Sequence, residues 1–208
     1  MDKDRKIDVM GIINLTDNSY FQESRCLDSN GNDDMARILE RAERMIENGA
    51  TILDIGACST RPGSDPVGEE EEWRRLEPAL TAIRRVFPDI DLSVDTYWPS
   101  VVRKTFDAIG RFIVNDVTAG EGMYEKVNAD VPGEMRGTVA HLGLPFVAMH
   151  MRGNPKTMQS LTEYSDVVSD VVEYFRMFSE KAARAGVNDW ILDPGFGFAK
   201  TVEQNYQL

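Results

Sequence analysis

Hydrophobic positions along this chain follow two alternating rhythms. Apolar runs at 9–13, 51–55, 91–94, 112–114, 146–149 and 190–192 are short, nearly continuous and bounded by turn or polar residues. Such runs suit strands buried on both faces, where polar alternation is not needed. Between them, apolar residues recur every three or four positions. The clearest case is 33–48, where Met35, Ile38, Leu39, Ala42, Met45 and Ile46 fall on one face of a helix. Asn32 is its expected N-cap, Asp33 and Asp34 suit the positive end of the helix dipole, and Gly49 suits the C′ position that needs positive φ. A second helix is expected to start within 69–72, a glutamate run read as a solvated, dipole-favoured first turn. A later helix, after Thr162-Glu163 and ending near Gly186, carries Val168, Val171, Val172, Phe175 and Phe178 as its core stripe.

The alternation is β-α-β-α throughout, without an internal repeat, a low-complexity segment or a Pro/Gly-rich linker, so residues 1–208 are expected to form a single domain. A parallel sheet follows, and both an open doubly wound sheet and a closed (β/α)8 barrel fit. The net charge of −12 without a basic run argues against nucleic acid and anionic membranes as partners. Cys26 and Cys58 lack CxxC or metal-type spacing and are expected to be free thiols. The N-terminal apolar stretch is too short for a signal peptide, and nothing reaches the ~20 apolar residues of a membrane span, so a cytoplasmic protein is expected.

Each apolar run ends on a polar side chain: Asn14, Asp54, Asp95, Asn115, His150 and Asp193. In a (β/α)8 barrel the C-terminal strand ends converge on one mouth, so six such residues can surround one ligand. A carboxylate accepts two parallel N–H donors, which fits Asp95, Asn115 and Asp193 to a heterocycle with a cyclic amidine edge. Met149, Phe196 and Phe198 could sandwich a flat ring. The loop from Ala57 through Ser59, Thr60, Arg61 and Pro62 to Gly63 brings hydroxyls, backbone N–H groups and a guanidinium together, a donor set for phosphate or carboxylate. An ordinary turn explains that loop equally well. His141 and His150 read as a surface helix residue and a structural mouth residue rather than metal ligands.

These residues closely resemble the dihydropteroate synthase family over essentially the whole chain, from Met10 to Asn205. Four blocks carry the resemblance: Met10-Gly11-Ile12-Ile13-Asn14-Leu15-Thr16; Asp54-Ile55-Gly56 leading into Ser59-Thr60-Arg61-Pro62-Gly63; Ser93-Val94-Asp95-Thr96 with Val114-Asn115-Asp116; and Met149-His150-Met151-Arg152-Gly153 followed by Asp193-Pro194-Gly195-Phe196-Gly197-Phe198. The resemblance implies a (β/α)8 TIM barrel that condenses 6-hydroxymethyl-7,8-dihydropterin diphosphate with 4-aminobenzoate, a cytoplasmic sulfonamide target that is often a homodimer. It implies that Asp95, Asn115 and Asp193 hold the pterin, that Asn14 helps bind Mg²⁺ and the diphosphate, and that Thr60, Arg61 and Pro62 belong to the second loop at the substrates. On this reading Asp95 and Asp193 stabilise a pterin cation while Arg61 favours the leaving diphosphate, and no nucleophilic Ser or Cys is needed.

The first loop, Asn14-Leu15-Thr16-Asp17-Asn18-Ser19, departs from the family's Asn-x-Thr-Pro-Asp-Ser, and Ala57-Cys58 replaces its Glu-Ser. Six strands are legible where the family has eight, so the expectation is a C-terminally incomplete barrel lacking the last two β/α units, whose own activity is in question. Three alternatives remain: a pterin-dependent methyltransferase, against which Ser-Thr-Arg-Pro-Gly argues, a non-catalytic pterin-binding homologue, and a generic phosphate-binding barrel unrelated to folate.

Overall fold

The computed structural model describes residues 7–15, 35–58, 67–122, 134–154 and 156–208. Six parallel strands form one sheet: β1 Met10–Asn14, β2 Ile52–Gly56, β3 Asp91–Asp95, β4 Ile113–Asp116, β5 Phe146–Met149 and β6 Trp190–Asp193. Spatial order equals chain order, and each strand pairs with its sequence neighbours. A doubly wound sheet needs a reversal of strand order, so that alternative is excluded. Among the described residues β1 and β6 are not hydrogen-bonded to each other.

The connecting helices are α1 Met35–Glu47, α2 Glu69–Val86, α3 Pro99–Ile109, α4 Glu134–Leu142 and α5 Val167–Ala185, with a short α6 Val202–Gln207 after β6. Each of α1 to α5 packs on the next, so they line one face of the sheet. Alternate strand residues on that face (Ile13, Leu53, Ile55, Leu92, Val94, Val114, Phe146 and Ala148) are buried in one continuous core. The opposite face carries Ile12, Asp54, Ser93, Asn115 and Val147, the side that becomes the interior of a TIM-type barrel. At the two unpaired edges this interior is open, and Ile12 and Ile191 are about half exposed, 52% and 48%.

The helix boundaries follow local chemistry. Gly49 has φ +99 and Gly186 has φ +82, positions where a Cβ is strained. Asp166 caps α5 by accepting from Ser169 N–H at 2.6 Å. The expected α1 stripe is the observed packing face; Asn32, Asp33 and Asp34 lie outside the described residues.

Two helical expectations need correction. The first turn of α2 is not uniformly solvated, because Glu72 is fully buried while Glu70 stands in water. Glu72 lies four residues before Leu76 and seven before Ala79, both buried, so the helical period turns it inward. In α5, which starts at Val167 rather than at Thr162-Glu163, the buried residues are Val167, Val171, Phe178 and Ala182. Val168 and Val172 face outward at 41% and 62% exposure. Among the described residues no helix is long and apolar enough to cross a membrane.

Candidate active site

The register places three of the polar strand-end residues, Asn14, Asp95 and Asn115, in one line with Gly56 between the first two. Asn14 pairs with Gly56, Gly56 with Asp95, and Asp95 with Asn115, one rung across four strands. Gly56 leaves room between the polar groups of that rung. A Cβ there would lie 3.3 Å from Asp95 Oδ2 and 3.5 Å from Asn14 Oδ1, filling the space between the two polar groups. Across the sheet Met149 pairs with Asp193, so both also sit at C-terminal strand ends.

Asp54 does not belong to the mouth. It lies one pleat below, 5% exposed, and its Oδ1 accepts from Ser93 Oγ at 2.6 Å and from Asn115 Nδ2 at 3.2 Å. Burial pushes its carboxyl up, and those two donors pull it part of the way back. The same bonds fix Asn115 with its amide nitrogen down and its oxygen free to accept from above. Asp95 receives no hydrogen bond from a described residue. Burial, then the Asp54, Glu72 and Asp116 carboxyls, push its pKa well above the usual carboxylate range. A ligand presenting N–H donors supplies what the protein withholds.

Asp193 is held by its own loop, where Gly195 N–H donates to Oδ1 at 2.8 Å. Gly195 has φ +69, and a Cβ on it would stand 2.1 Å from the backbone oxygen of His150, so the β6 loop can approach β5 only with glycine here. Lys200, which the sequence reading missed, pins this arrangement. Its buried Nζ donates to the oxygens of Gly195 and Phe198, each at 3.0 Å, and meets His150 Nδ1 at 3.0 Å. Burial, then Lys200 and Arg152, depress His150 to about 4, so its ring is neutral and accepts from the ammonium. Lys200 is itself lowered to about 8 by burial. His150 sits edge-on to Tyr174, a scaffold residue as expected, and His141 is exposed at the end of α4.

Above the rung Cys58, Tyr97, Val117 and Met149 form a small apolar cluster against which Phe198 and Trp98 pack. Met149 and Phe198 thus come together as expected for a ring sandwich. Phe196 does not join them and is 56% exposed. Cys58 is a free buried thiol that contacts Tyr97 Oη at 3.6 Å, and burial raises its pKa, which disfavours the nucleophilic thiolate.

Residues 10–208 match the model of the pterin-binding enzyme family. The chain belongs to that family. It is 40% identical over 202 residues to the folic acid synthesis protein fol1 of Schizosaccharomyces pombe, covering 96% of this chain and 25% of that protein. It is 38% identical to dihydropteroate synthase of Escherichia coli K12, covering 96% of this chain and 65% of that enzyme. The structure of Yersinia pestis dihydropteroate synthase in a sulfonamide drug complex superposes with a TM-score of 0.81 at 37% identity, over 97% of this chain and 67% of that one. The chain therefore spans about two thirds of these bacterial proteins.

Of the residues that the resemblance or the sequence singled out, Asn14, Asp95, Asn115, Met149 and Asp193 lie at the C-terminal ends of the strands, and Phe198 packs beside Met149. Thr60, Arg61 and Pro62, the first loop at 16–25 and Cys26 lie outside the described residues. A cavity of about 580 Å³ opens at the opposite, N-terminal ends of the strands, beside Asp8, Arg84, Asp91, Arg111 and Asp189. Arg84 and Arg111 spend their guanidinium groups there on backbone oxygens of Ile90 and Gly143, at 2.9 and 2.6 Å, which marks a structural role. In barrel enzymes that end carries stability and the C-terminal end carries chemistry.

Among the described residues no three His, Cys, Asp or Glu side chains cluster as a metal cage. Magnesium does not need one, since it keeps several waters and binds through one or two protein oxygens plus substrate phosphate. The Asn14 carboxamide at the rim of the rung fits that pattern.

Proposed function

We propose that the protein is a dihydropteroate synthase of folate biosynthesis, a transferase joining 6-hydroxymethyl-7,8-dihydropterin diphosphate to 4-aminobenzoate with release of pyrophosphate. The observation that carries the reading is the Asn14–Gly56–Asp95–Asn115 rung beside Met149 and Asp193. Asp95 and Asp193 accept the ring's N–H donors, Asn115 adds an amide oxygen, and Met149 and Phe198 flank the ring.

The bond between the pterin methylene and the diphosphate breaks, with its electron pair leaving on the diphosphate. Positive charge spreads into the pterin, where the Asp95 and Asp193 carboxylates stabilise it. The amine lone pair of 4-aminobenzoate then closes the new C–N bond and a proton leaves the nitrogen. Asn14 would hold Mg²⁺, which when bound neutralises charge on the diphosphate. By motif, Arg61 adds positive charge at the leaving group, and Thr60 and Pro62 line the aminobenzoate side. Sulfonamides compete at that side. The reading includes a cytoplasmic homodimer, in keeping with the free Cys58 thiol and a family often dimeric.

The test is to supply both substrates with Mg²⁺ and follow products. Dihydropteroate and pyrophosphate in equal amounts are expected. Pterin binding without product would favour a non-catalytic pterin-binding homologue, and methyl transfer from a methylated pterin to a corrinoid would favour the methyltransferase.

A further inference from the structure

Glu72 has no place in the reaction just described, yet with Asp116 it is one of two charged side chains of the described structure that have no exposure at all. Neither of its carboxyl oxygens has a hydrogen-bond partner of normal geometry among the described residues. Such a group is costly unless it is neutral. The groups facing it are Arg75 on its own helix, Thr96 just beyond β3, and the carboxyls of Asp95 and Asp116 at the ends of β3 and β4, with Cys58 after β2. Arg75 is engaged elsewhere, pairing with Glu71 at 2.7 Å. The Thr96 hydroxyl accepts from Trp98 N–H at 3.1 Å at the start of α3 and stands beside the Glu72 carboxyl. Glu72 therefore lies buried between the first turn of α2 and the β3–α3 turn that follows Asp95.

We infer that Glu72 is a positioning residue: as an uncharged acid it braces the β3–α3 turn through Thr96 and keeps a further negative charge away from Asp95. The inference rests on Asp95 being a pterin-binding carboxylate. Burial and Asp116 raise Glu72 to about 8 from an ordinary 4.5, against weaker lowering by Thr96 and Arg75. The neutral form is thus favoured by folding, and its contribution to stability is complete below 4.5 and is lost as pH rises through about 8. Above that, three carboxylates confront one another at the end of β3.

The experiment compares the wild-type protein with Glu72→Gln, which keeps the shape and cannot ionise. Two readouts are taken across pH 6.5 to 9.5: the Kd for 6-hydroxymethylpterin and the thermal midpoint without ligand. Comparing Kd values at each pH cancels ionisation of the ligand itself. Near-equal affinities are expected at pH 6.5, and about tenfold weaker binding by the wild type above pH 9, the effect of one unit of coupling. The midpoint of Glu72→Gln should gain on the wild type from pH 6.5 to about 8 and level off above it, where Glu72 is ionised in both folded and unfolded chains. A Kd ratio that stays constant with pH, or tenfold weaker binding by Glu72→Gln at pH 6.5, would overturn the inference. Absence of pterin binding by the wild type at every pH would instead remove the functional reading, and a flat midpoint difference would independently refute a neutral Glu72. Should Glu72→Gln not fold, Glu72→Met fills the same volume without an ionisable group and serves in both arms.

Discussion

Asp95→Asn is expected to lower kcat/KM for dihydropteroate formation by about a hundredfold to a thousandfold, the usual result of removing one preorganised electrostatic group from a reacting centre. The substitution is nearly isosteric, but it exchanges one acceptor oxygen for an N–H that faces the ring's own donors, and it removes the charge that stabilises the pterin cation. Folding should not suffer, because the Asp95 carboxyl is already destabilised by burial and by Asp54, Glu72 and Asp116. Steady-state kinetics together with a thermal midpoint equal to or above the wild type would support the assignment. A change below threefold in kcat/KM would remove Asp95 from the site.

Phe146→Ala should destabilise the fold by about 3–5 kcal/mol, the range for emptying a large aromatic site in a packed core. Phe146 is fully buried on the helix side of β5, stacked on Phe178 of α5 with ring centroids 6.0 Å apart. Phe178 in turn meets Trp190 of β6 edge-on at 6.1 Å. The loss would loosen β5 from α5 just beneath Met149 and the Asp193 loop. Urea unfolding measures it, and a loss below 1 kcal/mol would mean that the helices can collapse onto the vacated volume.

All six strands and three of the six described helices, α1, α2 and α5, were legible in the pattern, because continuous apolar runs and a 3.6-residue period are imposed by burial itself. Strand order was not, since an apolar run carries no record of its neighbours; the polar strand ends supplied the argument for a barrel. Asp54 was misplaced for a definable reason. β2 ends in Gly56, which has no side chain, so the last visible polar residue was taken for the end of the strand when it lies one pleat lower. Glu72 was hidden in a run of glutamates, although its spacing to Leu76 and Ala79 put it on the buried face. Val168 and Val172 show the opposite error, apolar residues assigned to a core that lies round the other side of α5. Lys200 had no signal, because its role depends on three acceptors that only the folded loop assembles.

The central claim is that a pterin sits on the rung at the C-terminal strand ends, and the most direct test is a crystal structure of the protein soaked with 6-hydroxymethylpterin. The account predicts the ring between Met149 and Phe198, with its N–H edge within hydrogen-bond distance of Asp95 and Asp193 and of the Asn115 oxygen. A pterin bound instead at the N-terminal strand ends, in the cavity beside Arg84 and Arg111, would contradict it.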